Sequence, residues 1–299
     1  MRNLLGTLPV LAILLLAPPK SLGQTTLYGG IGRGAGPARG EVITINQATG
    51  LGTFLGTGAT DSSVGINGLA FDYSADLFAS TISAPLFGDP QGISTLLRIN
   101  PVTGEEVAVI GAITLNGDPF AITDLAVQPS TDVLFGISID TTTTEGSVYT
   151  IDKSTGAATL VGGTGRIAAT IAFAPDGTLY ATSAIFDENG GFVGGFLNTL
   201  DPETGEVLTT VGPFLVHIGG LTVRPADGVI FASGGNTGDI YTLSTAGVLT
   251  PLGLTGLGGV GDIAFLPPLT EKDQCKNGGW ANFGFQNQGQ CIKFVNTGK

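Results

Sequence analysis

Two aspartates and one histidine are the residues of this chain whose types and positions could do chemistry. Asp124 and Asp262 each stand directly before an apolar triplet, Leu125-Ala126-Val127 and Ile263-Ala264-Phe265. His217, the only histidine, lies four residues before another, Leu221-Thr222-Val223. Two carboxylates brought together raise a pKa or hold a hard cation such as calcium, and an imidazole beside them would be a general base. Each Asp can instead cap a free backbone N–H at the end of its connection, and a lone histidine between Val216 and Ile218 is more often packed and hydrogen-bonded than catalytic. The remaining chemistry is sparse. There is no Gly-x-Ser-x-Gly elbow and no histidine-containing zinc spacing, and the two cysteines, Cys275 and Cys291, lie near the end of the chain without a Cys-x-x-Cys arrangement.

The triplets belong to a repeat that must position these side chains. Leu69-Ala70-Phe71 and Ile171-Ala172-Phe173 complete a set of five. A leucine-like residue followed by an aromatic also recurs five times, at Leu27-Tyr28, Leu77-Phe78, Leu134-Phe135, Leu179-Tyr180 and Ile230-Phe231, in steps of 50, 57, 45 and 51 residues. A third marker, an apolar residue leading into a polar turn, ends at Gly50, Gly104, Gly156, Gly205 and Gly247. Each unit reads as four short strands joined by tight turns, and about 50 residues per four strands is the period of a propeller blade. The first copy starts at a second strand and the last ends on an unpartnered first strand, so joining them closes a ring and removes two sheet edges. The fold class is therefore all-β: a five-bladed β-propeller of four-stranded antiparallel blades over residues 24–268, its N-terminal strand completing the last blade. An open β-sandwich, the competing fold, gives no reason for five equal units.

The run Ile171-Ala172-Phe173-Ala174-Pro175-Asp176-Gly177-Thr178-Leu179-Tyr180 resembles repeats of secreted bacterial propellers of the broad gluconolactonase and NHL-like group. Gluconolactonase-like members hold a metal at the channel mouth with several acidic and amide side chains. The five equivalent positions here are Gly68, Asp124, Thr170, Gly220 and Asp262. With two glycines and a threonine among them, the resemblance supports neither a metal nor lactone hydrolysis. Asn67, Asp124, Thr170, His217 and Asp262 are the candidate ligand-binding residues at the mouth, and no catalytic residue is assigned.

From triplet to Leu-aromatic pair the spacing is 8 or 9 residues, whereas the connections emerging on the other face vary widely. Length variation on one face marks a surface shaped for a ligand, and the channel is expected to open there, beside the start of each inner strand. Its loops offer Phe87, Asp140, Glu145, Phe186 and Asp187 as contact residues. No cofactor is expected, and calcium at the channel mouth or in the acidic loops finds no support in the oxygen spacing.

The two ends bound the setting. Arg2, an apolar run over residues 8–16 and the small residues before Gln24 form a secretory signal peptide, residues 1–23. Its removal leaves ten basic against 24 acidic residues, a net charge of −14 that disfavours nucleic acid and anionic lipid. No later segment is a membrane anchor. In residues 269–299 the balance turns basic, and two cysteines in an exported chain predict one disulfide stapling a small tail. That tail, Cys275-Lys276-Asn277-Gly278-Gly279-Trp280 through Asn287-Gln288-Gly289-Gln290-Cys291, resembles a C-terminal element of exported bacterial proteins. It either folds back on the acidic ring or is held outward. The sequence thus points to a secreted or periplasmic monomer that binds an extracellular small molecule, glycan, peptide or envelope component, with a channel-mouth hydrolase or lyase, lactonase-like and with or without a metal, as the second reading.

Overall fold

The computed structural model describes residues 25–299 except 62, 84–91, 140–144 and 236. The leader, Phe87 and Asp140 lie outside the described residues. Five sheets are arranged as the blades of a propeller. Blade 1 comprises Gly65–Phe71, Leu77–Ile82, Thr95–Ile99 and Glu106–Ala112, from axis to rim. Blade 2 comprises Asp124–Val127, Leu134–Ile139, Gly146–Ile151 and Ala157–Gly163; blade 3 Ala168–Phe173, Leu179–Phe186, Phe192–Leu200 and Val207–Phe214. Blade 4 is Ile218–Val223, Ile230–Gly234, Asp239–Leu243 and Leu249–Leu254. Blade 5 closes the ring: Val260–Phe265 pairs with the N-terminal Leu27–Ile31, in the register Leu27 with Phe265, followed by Glu41–Ile45 and Gly52–Thr57. The five blades expected from the repeat are therefore present. Blade 2 adds something the repeat does not encode, a short strand Thr114–Leu115 that pairs in parallel with Ala157–Gly163 at the rim and turns back through Asp118–Pro119.

Apolar alternation packs each blade against the next, which is why the core divides into several clusters between sheets rather than one centre. The Leu-aromatic marker supplies the aromatic half of these contacts. Tyr28 meets Phe71, Phe135 meets Phe173 and Phe231 meets Phe265, each edge-on with ring centres 5.1 to 5.2 Å apart. Tyr28 also sends its hydroxyl across the seam to the Pro101 carbonyl at 2.9 Å, and burial raises its pKa to about 12.

A second device repeats around the rim. The turns ending in Gly50, Gly104, Gly156 and Gly205 start with Asn or Asp, whose side-chain oxygen takes the N–H two residues on, and each turn glycine returns its N–H to that starting carbonyl. The glycine, at φ from +73° to +78°, then lies against a small residue of the preceding blade's outer strand: Gly50 on Gly253, Gly104 on Gly56, Gly156 on Gly111 and Ala112, Gly205 on Gly162, with Gly247 on Gly212 as the fifth. A Cβ on Gly56, Gly162 or Gly253 would enter the carbonyl of the facing turn, whereas one on Gly111 would stand 3.5 Å from the Thr155 carbonyl.

The disulfide Cys275–Cys291 is formed, and both cysteines are fully buried. The tail folds back onto the inner hairpin of blade 1, held by hydrogen bonds rather than by charge. Gln274 donates to the Tyr73 and Pro268 carbonyls at 3.0 Å, Asn282 donates to the Ala75 carbonyl at 2.9 Å, and Phe283 packs on the cluster between blades 5 and 1. The single α-helix of the described residues, Gln288–Thr297, is capped by Asn287. Removing the cross-link by Cys275→Ser should weaken tail docking by about 3 kcal/mol. Limited proteolysis would then clip the tail while the ring stays resistant; equal protease resistance in the variant would show that the hydrogen bonds suffice alone.

Candidate functional site

Asp124 and Asp262 do meet on the propeller axis, and their surroundings explain why. In each inner strand the residue that opens the triplet turns its N–H away from the second strand and toward the axis, so a closed ring presents five inward amides. Asp124 takes two of them, its Oδ1 accepting from Leu125 at 2.6 Å and its Oδ2 from Ile171 of the next blade at 2.9 Å. Asp262 takes the other three: Ile263 at 2.6 Å, Leu69 across the closing seam at 2.5 Å, and Leu221. Two side chains thus satisfy all five blades.

The other three positions of that layer are shaped by the pair. A Cβ at Gly220 would stand 2.6 Å from Asp262 Oδ1, and one at Gly68 2.9 Å from the Leu125 nitrogen, so only glycine leaves room for carboxylates reaching across. Thr170, fully buried, shares a hydrogen bond of 2.6 Å with Thr182. The two carboxyl groups are also hydrogen-bonded to each other, which requires a proton between them. Burial pushes both pKa values up, and at Asp124 the neighbouring Asp262 charge and hydrogen bond act in the same direction. Both aspartates have no exposed surface. This arrangement is a structural knot, in which acceptors are brought to amides that would otherwise be buried and unpaired.

His217 does not join it. Its ring sits in an aromatic box at the top of blades 3 and 4, 5.8 Å from Phe192 and 6.5 Å from Phe186, centre to centre. Its Nδ1 is buried without a hydrogen-bond partner, and burial lowers its pKa. A general base would need a polar neighbour to orient it. The box is built on the longest hairpin among the described residues, Leu179–Phe186 with Phe192–Leu200, whose tip is closed by Asp187: its Oδ1 accepts from Asn189 at 2.9 Å and Gly191 at 2.7 Å. Leu215, two residues before His217, is 80% exposed, and on the hairpin Ile185 and Val193, neighbours in sequence of Phe186 and Phe192, are each 48% exposed. Asn67 is half-buried at a bulge of the blade 1 inner strand, and Glu145 is exposed just before the third strand of blade 2.

The expected channel mouth beside the start of the inner strands is where the structure and the spacing part. A cavity of about 270 Å³ lies at the other end of the inner strands, on the face of the short hairpins. The strand ends crowd together at the upper end instead: a Cβ on Gly261 would enter the Ile66 carbonyl and one on Gly219 the Gly235 backbone. Among the described residues no three His, Cys, Asp or Glu side chains gather closely enough to hold a metal. No described helix is long and apolar enough to cross a membrane.

No family model and no curated protein matches the chain. Solved structures do. A chain of the nidogen/laminin complex superposes with a TM-score of 0.52 at 11% identity, over 82% of this chain and 99% of that one. A protein of unknown function from Bacteroides caccae gives 0.48 at 13% identity, over 81% and 99%. A gluconolactonase from Xanthomonas campestris gives 0.43 at 16% identity, over 81% and 83%. At these identities the likeness is one of fold, and the fold is the propeller.

Proposed function

We propose that this protein is an exported binding module that engages a partner through the loop-bearing face of blades 3 and 4. The observation that carries the reading is the exposed apolar character of the elements that build the Phe186, Phe192 and His217 box: Leu215 stands exposed two residues before His217, and Ile185 and Val193 are exposed on the hairpin that carries both phenylalanines. Large apolar side chains grouped on one exposed surface mark an interaction site. Aromatic residues at its centre are the usual energetic anchors of such sites. The disulfide fits a life outside the cytoplasm, and a propeller chain of the nidogen/laminin complex offers a precedent for partner binding on this fold.

The test is direct. The intact chain is passed over a glycan array and over solubilised envelope fractions, beside the variants Leu215→Asp and Val193→Asp. Saturable binding by the wild type, reduced about tenfold or more in both variants, is the expected result. Equal binding by wild type and variants would remove these elements from the account. Robust turnover of a small ester or lactone, abolished in Asp124→Asn, would replace the binding reading by the hydrolase.

A further inference from the structure

The cavity on the opposite face has no part in that reading. Its wall is made of strand edges. In each inner strand, residues bonded outward to the second strand alternate with residues whose N–H and C=O turn to the axis. Asp72, Gln128, Ala174, Arg224 and Leu266 donate outward, to Asp76, Val133, Thr178, Val229 and Thr26. The residues before them, Phe71, Val127, Phe173, Val223 and Phe265, therefore turn both backbone groups toward the cavity. One layer deeper the amides are those taken by Asp124 and Asp262, and the carbonyls of the same residues face down.

The rim repeats as well. Two residues beyond each inner strand stand Tyr73, Pro129, Pro175, Pro225 and Pro267, all lining the opening, with Tyr73 42% exposed. The carboxylates at this edge are not free: Lys153 Nζ holds Asp72 at 3.0 Å and Asp132 at 2.6 Å.

We propose that this cavity is a binding site for a small uncharged polyol of monosaccharide size. Five strand edges offer donors and acceptors in matched pairs, and the sheets hold them fixed, so a ligand with hydroxyls on every side meets partners that need no ordering. The prolines and Tyr73 give apolar surfaces for the C–H faces of a ring. Charged ligands fit less well. Anions meet the field of an acidic chain, and ammonium groups find only Asp72 and Asp132 among the lining carboxylates, both held by Lys153. A volume of about 270 Å³ holds one ring and not a chain of them.

Calorimetric titration of the intact protein with glucose, galactose, mannose and myo-inositol tests this, with glucuronate and glucosamine as the charged comparators. At least one neutral compound should bind saturably, with both charged analogues about tenfold weaker or more. Tyr73→Ala should weaken binding about three- to tenfold, Pro225→Ala in the same direction, and Leu215→Asp on the other face not at all. The inference falls if no neutral compound saturates at tens of millimolar, if a charged analogue binds more tightly, or if a folded Tyr73→Ala protein binds as well as the wild type. None of these results bears on the exposed apolar residues of blades 3 and 4, whose variants are read separately.

Discussion

Asp262→Ala is expected to unfold the propeller or bring it close to unfolding. The substitution leaves the amides of Leu69, Leu221 and Ile263 without their acceptor and strands Asp124 without the partner of its proton. Each buried, unpaired N–H costs about 1 to 3 kcal/mol, and a broken buried network about 3 to 5 kcal/mol. A loss on the order of 4 kcal/mol or more is a large part of the roughly 5 to 15 kcal/mol that holds a domain folded. Urea unfolding followed by tryptophan and far-ultraviolet signals measures it. A loss below about 1 kcal/mol would mean that water replaces the carboxylate and that the pair is not the knot of the ring.

The same pair fixes a pH dependence. Both carboxyls have pKa values raised above the ordinary 3.8, Asp262 to about 7 and Asp124 well above the ordinary value, because burial disfavours their charge. A raised value in the folded state means that folding takes up protons. The stabilisation from protonation is complete below the ordinary carboxylate value and declines as pH rises beyond it; the share of Asp262 is lost once pH passes about 7, and that of Asp124 once pH passes its own raised value. Asp124→Asn cannot ionise yet can donate to Asp262 as the protonated acid does. It should cost one amide bond, about 1 to 2 kcal/mol, and flatten that slope between pH 5 and 8. Melting temperatures of the two proteins across this range decide the matter, and parallel curves would assign the slope to other groups.

The second large effect is expected at the rim. Gly162→Val should destabilise by about 2 to 4 kcal/mol, because even a Cβ there would enter the Thr204 carbonyl at the turn of the next blade. Gly162 does not lie in the left-handed region, so the cost is steric and belongs to the seam between blades 2 and 3. Gly165→Ala is the control: φ is +64° with no atom within 4 Å, and only the backbone cost of roughly 1 kcal/mol is expected. Equal losses in the two variants would show that seam packing is not what the small residue serves.

Legibility in the sequence followed the range of the physics. The triplets, the Leu-aromatic pairs and the Gly turns are set by alternation and turn chemistry within a few residues, so strands, blade number and closure of Leu27 on Phe265 could be read directly. The disulfide followed from having two cysteines. The outer-strand glycines Gly56, Gly111, Gly162, Gly212 and Gly253 also recur, but their partners lie in the neighbouring blade, and a lone small residue in a strand carries no mark of what it faces. The rim had a local signal that the triplets overshadowed, proline two residues past four of the five inner strands.

What the sequence determined by itself is the propeller, because hydrophobic period and turn residues act locally and repeat. What only the tertiary structure decided is the use of the axis. Two aspartates 138 residues apart become acceptors for amides from all five blades, since a closed ring of strands has inward N–H groups that no neighbouring strand can reach. That closure also moved the open cavity to the face of the short hairpins. Loop length records where the chain can vary, whereas the space left at either end of the channel depends on how five backbones converge.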